Sequence, residues 1–433
     1  METFFSIIIP FYNAEKFLKK TVLSILNQKR NNVEIILIDD CSNDKSSKIY
    51  KNFIKKYNYV RILKNKINCG VGTSRNKGII NSRGKYLVFL DSDDYLFPKA
   101  IEKLEKLIKQ KSYPDMIVLK HQKSTYPKTN SKLINDLNLK NNTPVNFINY
   151  LNKTELPFAD CWFICVKRDL LLKHQIFFPN TRFGESEYFV SKIVCSMKSY
   201  ACLNVNFYYK NDRINSLNSS EDYKATVSVI ENLVNFCRYL QQKNLSLIKK
   251  KFVTRYIRDG FGLLSTLLTL RNKKDQKKIS KFLTKIKKDL KSIKKPNKSY
   301  NLFLLLNKFG ISSGLTKVIN TIRAKKINQV KKITSFKYLY IYCKSKYSSA
   351  LISILVSKNI KINGIVDDSY IFRKGYLKGN RITNSKLFFK ENKNLLKDVG
   401  VIIAHQKTSI SDKILKFLLK NKVSKKQIIS IKF

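Results

Sequence analysis

Acidic side chains are scarce in this sequence of 433 residues. Asp and Glu number 30 against 85 Lys and Arg, which gives a formal net charge of +55 at pH 7. Such an excess suggests attraction to nucleic acid, to an anionic membrane or to a polyanionic substrate. However, the basic residues are spread along the whole chain, and the alternation of arginine with aromatic residues that binds single-stranded nucleic acid is missing. We therefore expect solvated lysine faces and no nucleic-acid partner.

Paired thiols are also missing. The 8 cysteines form no Cys-x-x-Cys pair, and none of them clusters in sequence with the 3 histidines. This spacing argues against the usual zinc motifs and gives no sign of a disulfide framework. We expect reduced thiols, most of them buried.

Long apolar runs are the third absence. The run at residues 261–270 is about half as long as the roughly 20 residues that a membrane-spanning helix requires. The first residues also lack the basic segment and the small-residue cleavage site of a signal peptide. We expect a cytoplasmic protein with at most peripheral contact at the inner membrane. The 43% hydrophobic content is ample for two or three packed domains.

The first hundred residues contain an alternation of strand and helix patterns. Short apolar runs at 5–12, 33–40 and 85–90 predict buried strands, and amphipathic stretches such as 14–28 and 46–57 predict helices. This order predicts an α/β fold with a mostly parallel central sheet. In such sheets ligands bind beyond the carboxyl ends of the strands, where both acidic clusters of this segment fall.

The second acidic cluster gathers three carboxylates, Asp91, Asp93 and Asp94, directly after a predicted buried strand. Carboxylates in such a place repel one another unless a cation lies among them. A helix cap formed by Asp91 or Asp94 explains one acid at most. Hard divalent ions take oxygen ligands, often one or two carboxylates together with substrate phosphates. A cation site is therefore the favoured interpretation.

Four blocks of sequence then carry a specific resemblance. They read SIIIPFYNAEKFL, EIILIDDCSNDKS, GVGTSRNKGI and GKYLVFLDSDD, in this order. Together they resemble the family 2 glycosyltransferases, which bind nucleotide sugars with a GT-A fold. The resemblance is strong over residues 4–100 and continues more weakly to residue 216. It implies a transferase with a UDP-sugar donor.

The resemblance also implies which residues bind the substrate. They are Pro10, Tyr12, Asn13, Asp39, Asp40, Arg75, Asp91 and Arg213. Helix capping is an open alternative for Asp39 and Asp40. Cys41 stands where the family usually has glycine, so this turn is strained if the position requires a positive φ. Trp162, the sole tryptophan, is expected either to stack on an acceptor sugar or to pack in the core.

The cation and the general base follow from the same resemblance. Asp91 and Asp93 match the Asp-x-Asp motif that holds Mn²⁺ or Mg²⁺ beside the diphosphate. Glu185 matches the glutamate of a Glu-Asp motif that supplies the base, but Ser186 replaces its aspartate. Serine is not a comparable base, so Glu185, or else Glu187, is expected to take the proton. The alternative is that both are surface acids at the start of a helix.

Three regions are expected along the chain. They are a GT-A domain over 1–216, a helical lysine-rich region over 217–332 and a small Rossmann-like α/β domain over 333–433. The last region resembles domains of sugar-processing proteins, but its first turn has no glycine-rich loop, which argues against phosphate binding and favours a scaffold role. Asp367 or Asp368 stands in the place of a ribose ligand, and His405 is interpreted as a loop residue.

These patterns predict a metal-dependent, inverting glycosyltransferase. Its expected donor is a UDP-sugar, and its expected acceptor is a glycan or lipid-linked glycan in capsule or lipooligosaccharide biosynthesis. The serine at position 186 keeps a second hypothesis open, a catalytically impaired nucleotide-sugar-binding scaffold subunit. Residues 217–332 are expected either to present a basic amphipathic face to an anionic membrane or to form a helical bracket packed on the catalytic domain.

Overall fold

The computed structural model contains two compact units. Residues 1–220 with 231–257 form the first, and residues 221–230 with 258–433 form the second. The residues that the structure describes are 2–123, 131–138, 143–154, 158, 160–181, 183–211, 223–242, 245–256, 336–342, 360–366, 375–377, 380–383, 388–389, 391–392, 394, 396–404 and 408–431.

The first unit alternates strands and helices, as the apolar periodicity predicts. In chain order its elements are β1 (Phe5–Phe11), α1 (Leu18–Leu26), β2 (Val33–Asp39), α2 (Ser46–Lys56), β3 (Val60–Lys64), α3 (Val71–Asn81), β4 (Tyr86–Phe89), β5 (Tyr95–Leu96), α4 (Ala100–Gln110), β6 (Met116–Lys123), α5 (Ser131–Asn138), α6 (Pro144–Thr154), β7 (Ile164–Lys167), α7 (Arg168–Lys173), α8 (Glu185–Ser196) and β8 (Tyr200–Lys210).

An eight-stranded mixed sheet forms the centre of this unit. Its strand order is β3-β2-β1-β4-β7-β6-β8-β5. The strands β3, β2, β1 and β4 run parallel, whereas β7 pairs antiparallel with both β4 and β6. Phe11 at the end of β1 lies beside Asp39 at the end of β2, so the carboxyl ends of these strands share one edge. The predicted α/β fold with a mostly parallel sheet is confirmed.

The central parallel strands are buried over their whole length. Every residue of β1 and of β2 is buried, which explains why both sequences are nearly continuous apolar runs. The polar residues near their starts pair with each other, because the Ser6 hydroxyl donates a hydrogen bond of 2.6 Å to Glu34. Four of the described cysteines are also buried, as expected: Cys161, Cys165, Cys195 and Cys202.

Helix α3 packs closely on β1 and β2 because Gly78 has no side chain. A Cβ atom at this position would lie 2.5 Å from Ile8 Cγ2 and 3.2 Å from Ile38 Cδ1. Both isoleucines are fully buried in a close-packed layer. The contact therefore fixes how deeply α3 lies against the sheet, and with it the height of the first turns of α3 at the carboxyl edge.

The second unit has a sheet of its own. The described elements that follow helix α9 (Tyr223–Gln242) in the chain are β9 (Tyr338–Tyr342), β10 (Gly364–Val366), β11 (Gly375–Leu377), β12 (Asn380–Thr383), β13 (Val399–Ala404), α10 (Thr408–Lys420) and β14 (Ile428–Ile431). The order is β11-β12-β10-β9-β13-β14, with β11 antiparallel to β12 and the other neighbours parallel. Without β11, this is the strand order of doubly wound sheets.

The Rossmann-like domain nevertheless remains a prediction. The segments between its strands lie mostly outside the described residues, and so do Asp367, Asp368 and His405. The three predicted domain boundaries remain predictions too.

The helical region expected at 217–332 is described in part. Helix α9 (Tyr223–Gln242) and residues 247–256 are helical, and residues 257–335 lie outside the described part of the chain. Over the described ranges, no helix combines the length and the apolarity needed to cross a membrane.

The close packing of α3 leads to a stability prediction. We expect Gly78→Ala to lower the free energy of unfolding by roughly 1–2 kcal/mol, because overpacking outweighs the gain in helix propensity. The matched control is Ile80→Ala on the same helix, where the side chain is 61% exposed and the change should stay within about 0.5 kcal/mol. Urea denaturation measures both. A Gly78→Ala variant as stable as the wild type would show that the contact is not rigid.

Candidate active site

The loops after β1 and β2 are held to each other by short hydrogen bonds. The Asn13 backbone N–H donates to Ser42 Oγ at 3.0 Å, and the Asn43 N–H donates to Asn13 Oδ1 at 3.0 Å. The Ser42 N–H in turn donates to Asp39 Oδ1 at 2.8 Å. Tyr12 projects from the same loop and is 49% exposed. These predicted nucleoside-binding residues therefore lie together at the carboxyl edge of the sheet.

Two further predicted residues of this edge are buried. Pro10 lies inside β1, where it is paired in register with Ile38 of β2. Asp40 accepts hydrogen bonds from the N–H groups of Cys69 at 2.9 Å and Gly70 at 2.8 Å, and from the Asn65 amide at 2.8 Å. Asp40 thus orders the loop that enters α3, and it does not cap the helix after Ser42, whose N-cap is Lys45 without a side-chain hydrogen bond.

The turn at Cys41 has the conformation that glycine favours. Its φ is +67°, in the left-handed region. Cys41 therefore has the positive φ on which the predicted strain of this turn depends. The Cys41 thiol is exposed and lies 3.6 Å from the backbone oxygen of Lys66, which places it on the rim of the predicted nucleoside pocket.

Arg75 joins three segments that are distant in sequence. It is 4% exposed and lies on the second turn of α3. Its Nη2 donates to Asp91 Oδ1 at 2.8 Å, and its Nη1 donates to Glu185 Oε1 at 3.0 Å. These two carboxylates hold the pKa of Arg75 above its usual value although burial opposes this. The Asp-x-Asp motif and the candidate base thus meet at one guanidinium.

One donor of this guanidinium is not used by the part of the chain that the structure describes. Arg75 Nε is buried and has no hydrogen-bond partner among the described residues. A buried N–H without an acceptor costs free energy, so a ligand oxygen or water is expected to complete it. The donor fork that the sequence assigned to the nucleotide is otherwise occupied by Asp91 and Glu185.

Glu185 is the first residue of α8 and is buried. The preceding residue, Gly184, has a φ of +72°, which turns the chain into the helix. Ser186 lies beside it, with its hydroxyl 3.3 Å from Glu185 Oε1 and 3.5 Å from Cys161 Sγ. Glu187 is exposed on the first turn of the same helix. The alternative of a surface acid is therefore wrong for Glu185, which lies inside the site.

The acids after β4 pair with a second cation, Lys210 at the end of β8. Its Nζ lies 3.5 Å from Asp91 Oδ2 and 3.1 Å from Asp94 Oδ2. Asp94 is fully buried and also accepts hydrogen bonds from the Tyr208 hydroxyl at 2.6 Å and the Asn211 N–H at 2.7 Å. Asp93 is half-buried in the same turn. Asp94 therefore ties the end of β8 to the Asp-x-Asp turn.

The three acids do not cap the following helix. Helix α4 starts after Lys99, and no side chain caps its first turn. The capping alternative for Asp91 and Asp94 is wrong, because their oxygens face Arg75, Tyr208 and Lys210 instead. Trp162 is buried beneath Lys210, with its ring 4.9 Å from that of Tyr208, so it packs in the core.

Burial and neighbouring charges shift the pKa values of the acids and of the lysine in this cluster. Burial raises the pKa of Asp94 to about 7, although Lys210 opposes the rise. Burial alone would also raise the pKa of Asp91, but Lys210 and Arg75 hold that pKa below its usual value. The neighbouring acids raise the pKa of Lys210 in spite of its burial. Asp91 is thus kept ionised, whereas Asp94 changes charge near neutral pH.

A divalent cation fits this donor set only together with a nucleotide. The described residues contain no group of three or more His, Cys, Asp or Glu side chains that could hold an ion. Asp91 already faces two protein cations, and Asp94 is buried among its donors, which leaves Asp93 as the half-buried acid at the mouth. One or two carboxylates completed by substrate phosphates are a common Mg²⁺ arrangement. The residues present fit that arrangement.

Sequence analysis did not identify two residues that contribute to the site, and one residue that it did predict lies outside the described part of the chain. Tyr208 and Lys210 were not singled out, although their spacing of two places both on one face of a strand. Arg213 lies outside the described residues, just beyond the end of β8.

The fold and this edge of the sheet define a glycosyltransferase domain of the GT-A class. Residues 6–174 match the family described as Glycosyl transferase family 2. The predicted family and its transferase class are thereby confirmed.

Two relatives illustrate how much of the chain is shared. Cholesterol galactosyltransferase of Borreliella burgdorferi is 28% identical over 257 residues, which cover 55% of this chain and 71% of that protein. Minor teichoic acid biosynthesis protein GgaA of Bacillus subtilis is 29% identical over 215 residues, 48% of this chain and 47% of that protein. Matches to six other curated relatives cover 15–39% of their lengths, so the chain spans less than half of most of the relatives it matches.

A solved structure agrees on the fold. S. aureus TarS 1–349 in complex with UDP-GlcNAc has a TM-score of 0.58 at 18% identity, covering 75% of this chain and 92% of that chain. At this identity the likeness shows the fold alone, and it confirms the predicted GT-A architecture.

The raised pKa of Asp94 predicts a pH dependence of stability. In the folded state Asp94 holds its proton up to about pH 7, whereas the unfolded chain releases it near the ordinary aspartate pKa of 3.8. The folded state therefore binds more protons in this window, and stability due to Asp94 falls as the pH rises through it. Compared with Asp94→Asn, the wild type should lose more than about 1 kcal/mol between pH 5 and pH 8.

Urea denaturation of both proteins without divalent cations provides the measurement. The difference between them isolates Asp94, because the other titrating groups are shared. If the wild type instead gains stability relative to Asp94→Asn as the pH rises, the pKa of Asp94 is lowered in the folded state. The charge of Lys210 would then outweigh the effect of burial.

Proposed function

We propose that this protein is an inverting glycosyltransferase that moves a sugar from a UDP-sugar to a glycan or lipid-linked glycan acceptor of a bacterial surface polymer. The observation that carries the proposal is the contact of Arg75 with both Asp91 and Glu185. One guanidinium therefore contacts both the expected base, Glu185, and the Asp-x-Asp turn, where the donor diphosphate is expected to lie.

The donor and acceptor classes are supported by proteins of similar sequence or fold. TarS, which shares the fold, binds UDP-GlcNAc, as its structure records. One relative is named for galactosyl transfer to cholesterol and another for teichoic acid biosynthesis. A lipid or polymer acceptor is consistent with both names. A role in capsule or lipooligosaccharide assembly is a narrower form of the same proposal, as is a cytoplasmic location with peripheral contact at the inner membrane.

Glu185 has the surroundings that a general base requires. The acceptor hydroxyl oxygen forms a bond to the anomeric carbon, its proton passes to the Glu185 carboxylate, and the bond between that carbon and the diphosphate oxygen breaks to release UDP. Arg75 holds the carboxylate through Nη1 and leaves its second oxygen for the proton. Ser186 contributes a hydroxyl to Glu185 and is not needed as a base.

The diphosphate side of the site combines protein cations with a metal. Asp93, with Asp91, would hold Mn²⁺ or Mg²⁺ together with the phosphates, and this ion would stabilise the leaving diphosphate as a Lewis acid. At the same place, Arg75 Nε is an N–H donor that has no acceptor among the described residues. Lys210 keeps Asp91 ionised and oriented in the unliganded site.

Nucleotide binding is the first property to test. In calorimetric titrations we expect UDP to bind in the presence of Mn²⁺ and to lose roughly tenfold or more in affinity in Asp93→Ala or when the ion is chelated. Glu102→Ala, which removes an exposed acid from α4, is the matched control and should bind as the wild type does. Binding that is indifferent to both Mn²⁺ and Asp93 would remove the metal from the proposal. A protein that binds no nucleotide would remove the donor site.

Turnover separates the enzyme from the scaffold subunit. We expect Glu185→Gln to reduce the rate of sugar transfer by about 10²- to 10⁴-fold, because the amide still accepts a hydrogen bond from Arg75 but cannot take a proton. UDP affinity should be retained. Ser186→Ala, one residue along the same turn, is the control and should keep most of the activity.

The measurement is release of UDP from a panel of UDP-sugars with glycan and lipid-linked acceptors. Full activity of Glu185→Gln would place the base elsewhere, with Glu187→Gln as the next variant. Wild-type protein that binds UDP but transfers no sugar would favour the catalytically impaired scaffold.

A further inference from the structure

The chain between α7 and α8 delivers Glu185 to the site. Its described residues in the range 174–184 form neither a helix nor a strand. A segment of this kind has no hydrogen-bond ladder to fix its position, so side-chain contacts with its neighbours decide where it lies.

Asn76 of α3 makes the most specific of these contacts. Its Nδ2 donates to the backbone oxygen of Phe178 at 2.8 Å, and its Oδ1 accepts from the backbone N–H of Phe178 at 2.8 Å. A single amide thus satisfies both polar backbone groups of one loop residue, in the way that a neighbouring strand would. Both distances are short for N–H···O bonds, so this clamp is well formed.

The same face of α3 contacts the loop at two more points. A Cβ atom on Gly72, one turn before Asn76, would lie 3.1 Å from the Pro179 backbone oxygen and 3.3 Å from Glu185 Cγ. Thr73 Oγ1 lies 3.3 Å from the Asn180 side chain at an exposed position. The loop therefore rests directly on α3, and Asn76 fixes its register there.

Phe178 packs against the helix that carries Glu185 and against Arg75 itself. Its ring stacks on Phe189 of α8, with centroids 3.8 Å apart and planes 10° apart, and meets Phe89 of β4 edge-on at 5.4 Å. The Arg75 guanidinium lies 5.2 Å from the same ring. A shift of Phe178 would therefore move the first turn of α8 and the support beneath Arg75 together.

We propose that Asn76 is a positioning residue that sets the Glu185 carboxylate against Arg75 and Asp91 by clamping Phe178. The inference rests on the proposed function, in which Glu185 is the base. Asn76 itself touches neither the base nor the acids after β4; it acts through the loop. No substrate contact is assigned to it.

The kinetic test compares Asn76→Ala and Asn76→Asp with Thr73→Val. Because small misplacements of a catalytic group are costly, Asn76→Ala should lower kcat by about 10- to 100-fold while the Kd for UDP changes by less than about twofold. Asn76→Asp keeps the acceptor for the Phe178 N–H but sets a carboxylate oxygen against the Phe178 carbonyl oxygen, so kcat should fall at least as far as in Asn76→Ala. Thr73→Val removes a contact of the same helix with the same loop and should leave kcat nearly unchanged.

A double variant distinguishes positioning from a general loss of structure. If Asn76 acts through Glu185, Asn76→Ala combined with Glu185→Gln should be no slower than Glu185→Gln alone. Losses that multiply, or a Kd for UDP that rises as much as kcat falls, would overturn the proposal.

Hydrogen exchange tests the clamp without any turnover. In Asn76→Ala, amides in residues 176–181 should exchange at least about tenfold faster, while those of β6 keep their protection. Thr73→Val should show little change. Unchanged exchange in 176–181 overturns the inference whatever the activity of the enzyme. Faster exchange together with full activity of Glu185→Gln would locate the failure in the proposed function instead, and would overturn the catalytic part of the inference.

Discussion

One buried guanidinium organises the carboxyl edge of the first sheet. Arg75 is placed by a helix that Gly78 lets sink against β1, and its two terminal nitrogens reach acids that follow β4 and begin α8. A charge taken out of water is tolerated only when its partners are in place. The helix, the turn and the loop are therefore held to one arrangement, because displacement of any of them leaves a buried charge without its counter-ion.

Although acids are scarce in the chain, four of them lie together at this edge of the sheet. The edge gathers Asp91, Asp93, Asp94 and Glu185, and among the described residues Arg75 and Lys210 form the ion pairs with these acids. Asp94 relieves part of the imbalance through its raised pKa. Under the proposed function, this negative remainder would attract a divalent cation, and the basic surface of the protein would attract the diphosphate. The opposite charges of a metal–nucleotide pair suit that layout.

Features that depend on residues close together in the sequence could be predicted, whereas features that depend on distant pairs of residues could not. The strands are encoded in short apolar runs, and the Asp-x-Asp turn, Arg75 and Glu185 are encoded in motifs that resemble those of the family. Asp40 was expected at the nucleoside but orders the loop before α3, because its partners lie some 30 positions away. Lys210 and the clamp of Asn76 on Phe178 depend on pairings across more than 100 positions, between residues that no local pattern connects. Tertiary packing alone brings them together.

These long sequence separations also determine when the site can form during synthesis and folding. Arg75 and Glu185 are 110 positions apart, and Asp91 and Lys210 are 119 apart. Contacts that close such long loops form late, after local helices and hairpins have appeared. During synthesis the acids after β4 leave the ribosome long before the strand that ends in Lys210. Until that strand adds to the sheet, the nascent chain carries its acidic turn without the second cation, so the edge is completed only after almost the whole first unit has been made.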